Sequence, residues 1–410
     1  DVYKRQQRQV FYTRRQSILE GRGLDNHIWE MIDEVIEENC LKMLNDDYPY
    51  LCIAEWSRQT MGVELDIHKI RGYDFSDLER IIRDHARNNA DQEITITLGE
   101  YMSDDMPPEE WDIRGLSKWA MSKFSVNVSQ NQLRKMTPDE VQDQLIEAAG
   151  ALIEKADLTR LTAFLDNDFS RRSLCEWMNQ KFTLAVTPEE MAALNPVQTR
   201  DYLLERARAA YRRREIEYPV DFILNMALRR DRAGSGFAAK EVAEWARRKY
   251  HADLTIEKVQ QLSFDQIRDK LVQLSESYND GQLDAEIDHA LRTHAGNRQP
   301  LVDWANERFN LKLTPDELDV DNAREIIAHR GRQFLRDELT QLERYVLLQI
   351  YDSSWKDHLY AMDQLKGSVG LRGFAEKDPK LEYKREGYRM FQEMLSGIRE
   401  KVTDMIFKAR

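Results

Sequence analysis

Two stretches near the C-terminus carry apolar side chains at alternating three- and four-residue steps, and a seam of that kind has to be covered by another helix. The first runs through Tyr345, Leu348, Asp352, Trp355, Leu359, Met362, Lys366 and Val369, the second through Leu381, Lys384, Tyr388, Phe391, Leu395, Ile398, Val402 and Met405. Each stretch is the natural partner of the other, which predicts antiparallel helices over 342–369 and 379–408. Between them Gly370 and Gly373 let the backbone leave a helix and turn, and Asp378-Pro379 restarts one, with aspartate as N-cap and proline in the first turn. The loop over 370–377 is thus held at the end of a hairpin roughly 40 Å long, at about 1.5 Å per helical residue. It presents Leu371, Arg372, Gly373, Phe374 and Lys377, and an exposed aromatic between cations has no packing duty there.

The interval before the hairpin repeats itself five times. Trp56, Trp119, Trp177, Trp245 and Trp304 are followed five residues on by Met61, Phe124, Phe182, Tyr250 and Phe309, and ten residues on by the capping types Asp66, Ser129, Thr187, Thr255 and Thr314. A second capping type follows at eighteen in four copies, Asp74, Thr137, Asn195 and Ser263, and at fifteen in the last, Asp319. Capping boxes are legible at Thr137/Glu140, Thr187/Glu190, Ser263/Gln266 and Thr314/Glu317. Each unit of about 60 residues reads as a tryptophan helix, a short extended piece, a short capped helix and a longer one. Turn-rich boundaries fall at 103–110, 233–236 and 294–300. The aromatic pairs are expected in cores, which such side chains dominate energetically.

Glycine (17) and proline (10) are scarce for 410 residues, and charge is dense at 32%, so the fold class is all-α. No stretch reaches the length of apolar residues that a membrane span needs. Cys40, Cys52 and Cys175 stand far apart without metal-ligand spacing and read as small core residues in a reducing compartment. Of the net charge of −13, residues 366–410 hold 11 Lys/Arg against 7 Asp/Glu, while the remaining 365 hold 49 against 66. An acidic body with a basic tip argues against general nucleic-acid binding and suits anionic lipid or acidic loops near the tip. No phosphate loop, zincin, nucleophile-elbow or dinucleotide motif occurs, so these residues are expected to hold no catalytic, cofactor or metal site of their own. His358, near Asp357 and Asp363, reads as a surface histidine rather than an acid–base or metal group. Residues 1–6, Asp-Val-Tyr-Lys-Arg-Gln, read as a translated sequencing adaptor and are left out of the fold expectation.

At the hairpin, the run Leu-Gln-Ile-Tyr-Asp-Ser-Ser-Trp-Lys-Asp-His-Leu-Tyr-Ala-Met-Asp over 348–363, then Gly-Leu-Arg-Gly-Phe-Ala-Glu-Lys-Asp-Pro over 370–379 and Glu-Tyr-Lys-Arg-Glu-Gly-Tyr-Arg-Met-Phe over 382–391, resembles the two-helix finger of SecA. SecA is the ATP-driven motor of bacterial preprotein export. The run over 7–19, Gln-Arg-Gln-Val-Phe-Tyr-Thr-Arg-Arg-Gln-Ser-Ile-Leu, resembles more weakly part of SecA's long scaffold helix. The resemblance implies a scaffold helix segment over 7–45, a helical wing over 46–340 and a finger over 341–410. SecA's wing carries an Ile-Ala-Glu-Trp stretch like that at 53–56 once, in a far shorter domain. It therefore implies a wing enlarged by tandem duplication, with repeats at about 53–100, 116–160, 174–218, 242–290 and 301–337.

It further implies a parent that couples ATP hydrolysis to moving preproteins through the SecYEG channel, in the cytoplasm and peripheral at the inner face of the cell membrane. ATP and Mg would sit in motor domains outside these residues. Implied partners are SecYEG, unfolded preprotein, those motor domains, anionic lipid and a second copy of the parent. The finger tip at Leu371, Arg372, Gly373, Phe374 and Lys377 would contact channel and polypeptide; the family often has tyrosine where Phe374 stands. The cysteine-rich zinc tail of many members does not occur in these residues. The alternative is a non-enzymatic helical-repeat interaction scaffold that the hairpin merely docks, whereas a stand-alone hydrolase has no constellation to support it.

Overall fold

The computed structural model describes residues 2–21, 23–230, 237–318, 322–371 and 379–409, and every regular element among them is helical. The five tryptophan repeats share one construction. The first three are Tyr48–Met61, Ile67–Ile70 and Phe75–Tyr101; Ile113–Phe124, Gln130–Leu133 and Pro138–Lys155; and Phe169–Phe182, the turn Glu189–Met191 and Pro196–Arg230. The last two are Phe237–Tyr250, Ile256–Gln261 and Phe264–Ser277; and Arg298–Phe309, the turn Pro315–Glu317 and Ala323–Leu335.

What stops the first helix of each repeat is a left-handed residue six places after the tryptophan. These are Gly62, Ser125, Thr183, His251 and Asn310, with φ of 65°, 55°, 54°, 46° and 51°. The last four are the non-glycine residues with positive φ among the described residues, a conformation that normally closes a helix on glycine or asparagine. The turn lets the ring just before it fold back on the tryptophan. Trp119–Phe124, Trp177–Phe182, Trp245–Tyr250 and Trp304–Phe309 meet edge to face at centroid distances of 5.3, 5.8, 5.5 and 5.7 Å, an arrangement worth about 0.5–1.5 kcal/mol beyond area burial. In the first repeat Trp56 and Met61 pack on one shared apolar cluster instead.

Nine residues after the tryptophan comes a buried apolar side chain in four copies, Val128, Val186, Leu254 and Leu313. In two of these the backbone is clamped from both sides by an asparagine amide. Asn179 accepts from Val186 N and donates to its carbonyl at 2.8 and 2.9 Å, and Asn306 does the same for Leu313. The long helices begin behind Asp74, Thr137, Asn195 and Ser263, whose side chains accept backbone N–H groups of the first turn. In the fifth copy the expected Asp319 lies outside the described residues; the helix starts behind Asn322, eighteen after Trp304 as in the others.

The chain forms two compact units. One comprises Asn39–Glu176 and Thr187–Ala193, with one core built from Ile53, Val63, Leu78, Ile82, Leu158 and Leu161, and another from Ile94, Leu98, Leu116, Phe124 and Leu145. The other comprises Asp1–Glu38, Trp177–Val186 and Leu194–Arg410. There the Trp245 and Trp304 repeats share a single core with the end of Pro196–Arg230, and the helices Asp337–Leu371 and Pro379–Lys408 pack against each other. The segment expected as one scaffold helix over 7–45 is two, Val2–Glu20 and Leu24–Met43, parted where Gly21 and Gly23 take φ of 67° and 60°. At Gly21 the positive φ is the constraint, since a Cβ there would meet only the end of the Arg344 side chain, which can swing aside.

Candidate functional site

The second helix of the hairpin has the expected bounds, Pro379–Lys408, and the first is longer than expected, Asp337–Leu371. Pro379 opens the second helix as foreseen, and Leu371 closes the first. Arg372, Gly373, Phe374 and Lys377 lie outside the described residues, as does the expected cap Asp378.

The seam holds its phase only in part. Trp355, Met362, Phe391, Leu395, Ile398 and Val402 are buried as read, whereas Tyr345, Leu381, Tyr388 and Met405 are exposed. Toward the base the buried set is Glu343, Val346, Leu347, Ile350, Tyr351 and Ser354 on one helix, and Thr403, Ile406 and Phe407 on the other. A strict seven-residue step drifts roughly 20° per heptad on a straight helix, so stepping outward from the well-read middle loses the buried face. Toward the tip, Met362 and Leu365 pack against Tyr383 and Met390 across the two helices.

A third helix completes the base. Val2–Glu20 runs antiparallel to Asp337–Leu371, as its contacts show in sequence. Lys4 Nζ lies 2.5 Å from Asp363, Gln7 reaches His358, Phe11 stacks on Trp355 at 4.4 Å and 12°, and Arg15 holds Asp352 through two bonds of 2.6 and 2.9 Å. Gln7 donates to the Gly387 carbonyl at 3.0 Å, so its amide oxygen faces His358 Nε2, also at 3.0 Å, which must then carry the proton. One glutamine thereby ties all three helices. His358 is buried between Trp355 and Phe391, not on the surface as expected, and burial with Lys4 nearby lowers its pKa. A neutral imidazole in that bond has a structural duty. The Asp352 carboxyl is held below its ordinary value by its bonds to Arg15.

Two of the tryptophan repeats grip the hairpin through a position that sequence reasoning passed over, the fourth residue after the tryptophan. It is basic in four copies, Lys123, Lys181, Lys249 and Arg308. Lys181 Nζ donates to the Glu400 carboxylate at 2.5 Å and to the Glu400 carbonyl at 3.0 Å. Lys249 bonds Glu338 and the Leu335 carbonyl, and Trp245 Nε1 donates to the same Glu338 at 2.8 Å. Burial lowers the Lys249 pKa against the pull of Glu338. Arg308 binds Glu286 at 2.6 Å and the carbonyls of Arg248 and Lys249. The signal was present as a recurring cation at a fixed offset.

A second unread feature is the polar node where Arg336 ends the last repeat. Arg336 donates to Glu343 at 2.7 Å and to Tyr211 Oη at 2.8 Å, and pairs with Glu215 at 3.0 Å, while Tyr211 also bonds Glu343. Glu343 is fully buried. Burial lifts its carboxyl to about 7, with Arg336 opposing.

None of this is a reactive constellation. Among the described residues no group of three or more His, Cys, Asp or Glu side chains could hold a metal ion, and no helix is long and apolar enough to cross a membrane. None of the three cysteines is in a disulfide, and burial pushes the Cys175 thiol up to about 11. The arrangement is that of a braced two-helix lever.

Residues 254–410 match the family model of the SecA Wing and Scaffold domain. The chain is 29% identical to protein translocase subunit SecA 1 of Rhodopirellula baltica, an alignment covering 98% of this chain and 34% of that protein. It is 43% identical to SecA of Geobacter sp. over 24% of this chain and 12% of that one, and 35% identical to SecA of Desulforapulum autotrophicum over 35% and 18%. The chain thus spans about a third of the length of the Rhodopirellula relative. No solved structure matches it. Similarity to SecA thus runs along nearly the whole chain, and residues 254–410 match the SecA wing and scaffold domain.

Proposed function

We propose that the hairpin is the working finger of a SecA-like motor that uses ATP hydrolysis to move preproteins through the SecYEG channel at the cytoplasmic face of the cell membrane. The observation that carries this reading is the bracing. The N-terminal helix, Lys181 and the Lys249–Glu338 pair all hold the hairpin in its lower and middle parts, which makes the two helices a stiff lever whose far end is where Leu371 closes one and Pro379 opens the other. The five repeats are then a wing over 46–340, enlarged by tandem duplication, and the finger occupies 341–410. ATP and Mg belong to motor domains outside these residues. SecYEG, unfolded preprotein, the motor domains, anionic lipid and a second copy of the parent are its partners.

At the tip, Leu371, Arg372, Gly373, Phe374 and Lys377 suit contact with an unfolded chain, since dispersion and cation contacts tolerate many partners. Grip of this kind depends on side-chain bulk. In the intact motor, Phe374→Gly should cut preprotein translocation far more than ATP hydrolysis, and Phe374→Tyr should be mild. Translocation at the normal rate by the glycine variant removes the tip as a contact site.

A further inference from the structure

The Trp56 and Trp119 repeats enclose an open groove of about 440 Å³ lined by equivalent positions of both copies. Each supplies its fourth and fifth residues after the tryptophan, and its thirtieth, thirty-third, thirty-fourth and thirty-seventh, so that Ala90 and Glu93 of one copy answer to Ile153 and Ala156 of the other. In the other compact unit the same positions of the Trp177 and Trp245 repeats are covered by the ends of the hairpin helices. Lys181, at the fourth place, binds Glu400; Phe182, at the fifth, meets the Phe407 ring at 5.0 Å. Tyr211, at the thirty-fourth, faces Phe407 at 6.2 Å, and Arg214, at the thirty-seventh, bonds the Ala409 carbonyl. Lys249, at the fourth place of the Trp245 repeat, binds Glu338.

We infer that the groove between the Trp56 and Trp119 repeats is a receptor for an amphipathic helix of another protein, one presenting a carboxylate and, two turns on along the same face, an aromatic ring. The chemistry is copied from the occupied face, where Glu400 and Phe407 stand seven residues apart. The receiving cation is Lys123, whose side chain is 48% exposed against 6% for Lys181 and 4% for Lys249. In the open groove Glu93 pairs with Lys123 at 2.7 Å and stands where the helix carboxylate would be. An exposed pair of this sort contributes little, so a helix that also buries a ring can displace it. A second copy is disfavoured as the occupant because its own Phe407 is already buried.

The test uses the full chain and a fluorescent peptide of residues 393–409, whose sequence fits the equivalent face, read by anisotropy. The expected result is saturable binding that Lys123→Glu and Leu152→Asp each weaken by about tenfold or more and that Glu93→Gln tightens. Lys123 and Leu152 are exposed, and thermal melting like the parent's confirms that the variants fold. Binding indifferent to these substitutions, or lost instead with Lys181→Glu, overturns the assignment. So does Lys123-dependent self-association of the chain in sedimentation, which makes the occupant a second copy.

Discussion

Trp355 shows how a single residue can be legible in type and illegible in partner. Its place on the seam marks it as core, but its stacking partner Phe11 belongs to a helix from the far end of the chain, and nothing local announces such a pairing. Its indole Nε1 is buried with no acceptor, so the ring is present for area and shape. Truncation to alanine should therefore cost about 3–5 kcal/mol, while Trp355→Phe should lose less than about 1.5 kcal/mol because no hydrogen bond goes with it. Denaturant melts of the two variants separate these values; equal losses would mean that the polar edge matters after all. Gly21 is the complementary case. Left-handed backbone costs a non-glycine residue roughly 1–2 kcal/mol, and the only atoms a methyl would meet are the end of the Arg344 side chain, which can move away. Gly21→Ala should thus destabilise by about that amount, and Gly62→Ala, where φ is also positive and the space is open, by a similar amount in denaturant melts.

At the scale of elements, the repeat was legible because tryptophan, ring and caps are rare types at fixed offsets. Its helix stop was not, because Gly62, Ser125, Thr183, His251 and Asn310 share a backbone conformation and no side-chain chemistry. The hairpin was legible as two helices, yet its buried face at the base was misphased, since the stepping was extrapolated past the residues that anchor it. The cation at the fourth place after the tryptophan was readable and unread. Its worth depends on what covers it: Lys249 and Glu338 are 4% and 12% exposed, Lys123 and Glu93 48% and 42%. Breaking a buried pair strands the partner charge at a cost of about 3–5 kcal/mol, while exposed pairs contribute about 0–1 kcal/mol. Lys249→Met should accordingly be severe and Lys123→Met nearly silent in urea denaturation. Equal effects at the two sites would show that the repeat, rather than the hairpin helix over Lys249, sets the energy.

For the whole molecule, two units with separate cores should unfold as separable transitions rather than one two-state step. The buried node at Glu343 then makes one of them depend on pH in a way that can be derived. Burial raises the Glu343 carboxyl from 4.5 to about 7 in the folded chain, so between those values the folded state binds a proton that the unfolded state does not. Stability from this group is complete below the unfolded value and is lost as pH rises through about 7. His358 works in the opposite direction, because its lowered pKa favours folding as pH rises. The two are separated by comparing the parent with Glu343→Gln, which keeps an oxygen toward Tyr211 and Arg336 but cannot titrate. Calorimetry from pH 5 to 8 should show the transition of the hairpin-bearing unit falling more steeply in the parent than in the glutamine variant, with the other transition unchanged between them. If the two proteins have parallel profiles, the Glu343 proton is not exchanged on unfolding, and Arg336 holds the carboxylate charged throughout that range.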